Sequence, residues 1–189
     1  MIRRRKTPKH LLVGLDPGFA SLGVCVWDLI EERCITLAVL RTQKIRSSRT
    51  MSEDVSTRGL ALGRGLRDLV PWEDVLAVCA ESVSLVRNAS ACYKVGVGWG
   101  VCIAQAAQTG LPVHEVRPQD VRRLLGLPGR AAKADIKAAV LPYPGVEAAL
   151  DASKLPAGQH EHCLDAVAAV LAWRETSMGA MLASVLSTR

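Results

Sequence analysis

The stretch "LLVGLDPGFASLGVCVWDLIEERCITLAVLRTQ", residues 11–43, confines the chain more than any other part of it. Three apolar runs are separated only by Asp-Pro-Gly and by a polar Glu-Glu-Arg. Asp-Pro-Gly cannot continue a strand, and neither connection is long enough for a crossover, so the runs form an antiparallel meander. Next comes "DVSTRGLALGRGLRDLV", in which Val55, Leu60, Leu62, Leu66 and Leu69 mark a helical stripe. "DVLAVCAESV" is apolar until Glu81 and reads as a central strand. A helix supplies the crossover into it, so it lies beside the first strand and parallel to it.

The remaining elements follow in order: a long helix in "ASACYKVGVGWGVCIAQAAQTG", a strand in "LPVHEV", and short helices in "RPQDVRRLLG" and "KADIKAAVL". "HEHCLDAVAAVLAWRE" is the last predicted helix, ending near Trp173, and the tail beyond Glu175 adds a turn or two or frays. The expected fold is α/β of the ribonuclease H-like order. It has a mixed five-stranded sheet, three antiparallel strands then two parallel, flanked by helices. No repeat or linker divides the chain, so residues 1–10 are expected to be a basic extension, 11–175 one domain and 176–189 a C-terminal tail.

With 49% apolar and 22% charged residues the composition is globular, and a net charge of +6 favours an acidic partner such as nucleic acid. Six cysteines form no CxxC pair and mostly lie in apolar runs, which argues for a reducing compartment, cytoplasmic or otherwise intracellular. The apolar run behind the basic "MIRRRKTPKH" is too short for a signal sequence. Nothing approaches the ~20 apolar residues that span a bilayer. Neither a membrane nor a small-molecule cofactor is expected as a partner.

Asp16 ends the first strand and Glu81 the fourth, so parallel pairing puts both carboxylates on one rim of the sheet. Two acids so placed repel each other unless a cation lies between them, and hard oxygen donors suit Mg²⁺ or Mn²⁺. The third acid comes from "GQHEHCLDAVAAV". On a helix, His162 and Asp165 share a face, as do Glu161 and Asp165. His160 and His162 point roughly 200° apart, which disfavours a local zinc site, and His160 with Cys163 would still need two distant ligands. The small apolar face of "AVAAVLAW" packs on the sheet and leaves the helix N-terminus at the rim. Acidic or histidine ligands around two ions about 4 Å apart suit phosphodiester hydrolysis.

Taken together, "LVGLDPGFASLGVCVWD", "AVCAESVSLVRNASACYKVGVGWGVCIAQAAQTGLPVHEVRPQDVRRLLGLPGRAAKADIKAAV" and "HCLDAVAAVLAW" resemble the RuvC-type Holliday-junction resolvases of the ribonuclease H/integrase superfamily. The resemblance implies a homodimeric Mg²⁺- or Mn²⁺-dependent endonuclease, with two ions, that nicks branched DNA and four-way junctions in particular. It makes Asp16, Glu81 and Asp165 metal ligands, Lys133 a catalytic phosphate contact, and the helix from Ala89 to Thr109 part of a dimer interface. Two departures stand out. His162 occupies the place of an aspartate, so that it ligates the metal, is replaced as ligand by Glu161, or acts as an acid or base. "SVSLV" after Glu81 lacks the aromatic with which family members often wedge a junction.

Expected DNA contacts are Arg41, Lys44, Arg46 and Arg49 after the third strand, then Arg87, Arg117, Arg122, Arg123, Arg130, Lys133 and Lys137. Tyr93 and Trp99 could stack on bases, but on a small-residue helix they are expected to fill the core or the dimer interface. His114 is expected to be structural. Three alternatives stay open: a same-fold nuclease of forks or flaps, a non-catalytic junction-binding protein, and an ATPase of the actin-like class. The last needs two such domains, and 189 residues supply one.

Overall fold

The computed structural model describes residues 9–82 and 88–187. Strands β1 (Leu11–Asp16), β2 (Ser21–Asp28), β3 (Arg33–Arg41), β4 (Val75–Glu81) and β5 (Val113–Val116) form one sheet in the order β3-β2-β1-β4-β5. β1–β2 and β2–β3 are antiparallel; β1–β4 and β4–β5 are parallel. This is the mixed sheet expected from the two short connections and the helical crossovers.

Helices cover both faces. On one side α1 (Met51–Leu69) and α2 (Ala89–Thr109) pack on Val13, Leu15, Val24 and Val78. On the other lie α3 (Pro118–Leu124), α4 (Lys133–Val140), α5 (Val146–Ser153), α6 (His160–Arg174) and α7 (Ser177–Ser187), packed with Leu12, Cys25, Trp27 and Cys79. Side chains alternate faces along a strand. Leu12, Gly14 and Asp16 therefore point to the α6 side, as do Cys79 and Glu81.

α6 is buried nearly all round, as a central helix should be. Two strand glycines let its backbone lie against the sheet. A Cβ at Gly14 would stand 2.1 Å from the Ala166 carbonyl oxygen, and one at Gly23 would stand 2.0 Å from that of His162. Gly23 is the partner of Asp16 in the β1–β2 register, so this contact draws the start of α6 to the end of β1.

α5 and α7 differ from expectation. α5 follows Gly145, whose φ of +78° suits glycine, and it places Val146, Ala149 and Leu150 in the core. Only eight residues long and without a side-chain cap, it carries a weak periodic signal. α7 extends the tail, expected to add a turn or two or to fray, into an 11-residue helix, because Leu182 and Leu186 find apolar partners in the α6-side core.

Candidate active site

The β1–β4 register ends at Leu15–Ala80, so Asp16 and Glu81 are the next residues on two neighbouring parallel strands. α6 brings Asp165 over them one helical turn after His162. Asp16, Pro17, Gly18, Glu81, Val95, Trp99, Lys133, His162 and Asp165 line one cleft of about 340 Å³. α2 is locked onto its rim, since a Cβ at Gly98 would come within 2.6 Å of the Pro17 carbonyl oxygen. Beneath, Arg58 lies 4.2 Å over the Phe19 ring and donates to Thr42 Oγ1, which donates in turn to the Phe19 carbonyl. These contacts fix the Asp-Pro-Gly turn.

The cleft concentrates negative charge. Burial, then repulsion from Asp165 and Asp16, pushes the Glu81 carboxyl up to about 7. Burial likewise raises Asp165 to about 6, although Lys133 works against it. The Lys133 ammonium lies 3.2 Å from Glu161 and 3.5 Å from Asp165. Burial works to lower its pKa, but Asp165 and Glu161 outweigh that and hold it above its ordinary value. A lysine as first residue of α4 opposes the helix dipole, so these carboxylates are what hold it there. His162 donates from Nδ1 to Asp16 Oδ2 at 2.9 Å, and that bond keeps its imidazole protonated above the usual histidine range.

A pH dependence follows. Glu81 and Asp165 have folded pKa values above their ordinary 4.5 and 3.8, so the native state holds more protons than the unfolded chain up to about pH 7. His162, raised in the same direction, stabilises the fold only while protonated. All three terms fall as pH rises. Thermal melts of the metal-free protein should therefore show a falling melting temperature between pH 5 and 8. A flat or rising curve would contradict the assignment.

The family model of the crossover junction endodeoxyribonuclease RuvC matches residues 12–169. The chain belongs to the RuvC family. It is 31% identical over 137 residues to the RuvC of Moorella thermoacetica, covering 72% of this chain and 79% of that one. It is 30% identical to the Roseiflexus RuvC over 66% of its own length and 71% of the relative's. The structure of Thermus thermophilus RuvC in complex with a Holliday junction substrate superposes with a TM-score of 0.66 at 25% identity, covering 86% and 92% of the two chains. The yeast mitochondrial Holliday junction resolvase shares the fold at 10% identity, with a TM-score of 0.61 and coverage of 96% and 85%.

RuvC-family nucleases depend on a metal. The donor set of this RuvC-family chain fits one. Three carboxylates offer hard oxygen ligands, and the raised Glu81 and Asp165 register a charge density that a divalent ion would relieve. Among the described residues, no three His, Cys, Asp or Glu side chains are yet gathered into an ion-holding group. Lys133 and the His162 ring supply positive charge beside the carboxylates. A local zinc site has no support. Cys163 is buried, its thiol pushed up to about 12, and its Sγ donates to the His160 carbonyl. His160 Nε2 donates to the Leu155 carbonyl.

The structure separates the basic residues. Lys133 and Lys137 flank a second cleft of about 190 Å³ beside Glu161 and Asp165. Arg122 lies near enough to Glu81 to lower its pKa. Arg117 and Arg123 pair with Asp120 on α3. Arg130 is exposed before α4, while Arg41 is exposed at the end of β3 and Lys44, Arg46 and Arg49 between β3 and α1. Arg87 lies outside the described residues, as do residues 83–86 of "SVSLV". His114 is structural, its ring 5.1 Å from that of Trp173. Trp99 packs against the α1–α2 side of the core, as expected, and the docking of Gly98 on Pro17 also brings it to the cleft, where it is half-buried. The Glu161–Lys133 pair was not anticipated either. A glycine inside each of two strands, a mark of close backbone approach, was the available signal for how α6 docks.

Proposed function

We propose that this RuvC-family chain is a divalent-metal-dependent endonuclease that nicks four-way DNA junctions as a homodimer. The observation that carries the reading is the placement of Asp16 and Glu81 on adjacent parallel strand ends with Asp165 brought to the same cleft. Asp16, Glu81 and Asp165 would hold Mg²⁺ or Mn²⁺, two ions by the family pattern, with the neutral His162 ring as a fourth ligand whose nitrogen favours Mn²⁺. The bound metal would neutralise phosphate charge and lower the pKa of a water. Lys133 places its ammonium beside the phosphodiester. His162 orients the Asp16 carboxylate through Nδ1–H, and Glu161 steers Lys133.

Two features support a dimer through α2. A groove of about 930 Å³ runs between α1 and α2 beside the exposed Leu60 and Tyr93. At Gly96 and Gly100 an added Cβ would meet nothing within 4 Å, leaving the helix backbone open to close approach. All six cysteines are free thiols, in keeping with a reducing compartment. No helix among the described residues is long and apolar enough to cross a membrane.

The substrate class is tested by offering a synthetic four-way junction, a Y-fork, a flap and plain duplex in Mg²⁺ and Mn²⁺. Paired nicks in the junction with intact duplex are expected. Forks or flaps cut at equal or greater rates would favour the same-fold nuclease of other branches.

A further inference from the structure

The catalytic cleft has two unlike flanks. One is polar: Asp16, Glu81, His162, Asp165 and Lys133. The other is apolar and belongs to α2: Val95 and Trp99, four residues apart and hence on one helix face. A nucleotide has the same division, with a charged phosphate on one side and a sugar and base on the other.

Trp99 differs from the other three tryptophans of the chain. Trp27, Trp72 and Trp173 are 0%, 8% and 2% exposed and lie within the core, whereas Trp99 packs against the core with one part of its side chain and is half-buried at the cleft wall. Its position is well determined, because Gly98 leaves no room for α2 to slide along the Pro17 carbonyl. An indole held this way has little rotamer freedom left to lose on stacking. The chain also has no aromatic in "SVSLV", directly after Glu81.

We propose that Trp99 is a DNA-contact residue of the cleavage site, its indole forming the platform on which the sugar and base next to the scissile phosphate pack. The inference rests on the nuclease reading above and extends it by one residue. Stacking tolerates every base but favours those that stack most strongly, so Trp99 should also grade cleavage among flanking bases.

Two measurements test it on the full chain. In an Asp16→Asn background, which blocks cleavage, titration with a four-way junction should quench tryptophan emission. The quench should vanish in Asp16→Asn/Trp99→Phe, where binding followed by gel shift persists. In the active protein, Trp99→Leu should slow single-turnover nicking by roughly ten-fold or more, the loss typical of one base–aromatic stack, with Trp99→Phe restoring most of the rate. Emission that stays unchanged while the junction is fully bound, or Trp99→Leu cutting at the wild-type rate, overturns the proposal. Either result would leave the nuclease reading intact so long as wild type nicks the junction. Only a wild type inert on every branched substrate removes that reading itself.

Discussion

Glu81→Gln should slow junction nicking by about a thousand-fold, the several kcal/mol of charge stabilisation that a metal site supplies. The same change should make the metal-free protein more stable. Glu81 is raised to about 7 by burial and by Asp165 and Asp16, so at pH 8 its charge is held against the fold. Glutamine keeps the shape and removes that charge, which should lift the melting temperature at pH 8 by about 5 °C. The gain should disappear at pH 5, where glutamic acid is already protonated in the folded chain. Nicking within ten-fold of wild type would remove Glu81 from the chemistry. A lower melting temperature at pH 8 would show that the carboxylate is not strained.

Gly23→Ala should be the most damaging single methyl group. Its Cβ would stand 2.0 Å from the His162 carbonyl oxygen, and backbone on both sides leaves no flexible side chain to yield. Separation of α6 from the sheet should cost about 3 kcal/mol or more, lowering the melting temperature by about 10 °C. Nicking should fall as well, because the displaced turn carries His162 and leads to Asp165. Gly63→Ala is the control: its nearest neighbour would be Gln105 at 3.8 Å, and an alanine inside α1 should stabilise slightly. If melts of the two variants were alike, the close α6–sheet contact would not exist.

What could be read from the chain was mostly local. The meander follows from two short connections, and the parallel β1–β4 pair from one helical crossover. Together they place Asp16 beside Glu81 without any knowledge of side-chain contacts. Asp165 follows from helical spacing and a small apolar face. The contacts missed join distant parts of the chain: His162 to Asp16, Lys133 to Glu161, Gly98 to Pro17. None leaves a periodic trace, because each depends on how two finished elements dock. His162 shows this best. In sequence it is a substitution with three open roles; in the fold it is an imidazole bonded to the first carboxylate.

The most direct test is divalent-dependent nicking of a synthetic four-way junction by wild type and Asp16→Asn, with junction binding measured in parallel. The account predicts nicking by wild type in Mg²⁺ or Mn²⁺, none without a divalent ion, and an Asp16→Asn protein that binds the junction but leaves it intact. Equal nicking by the two proteins would contradict it.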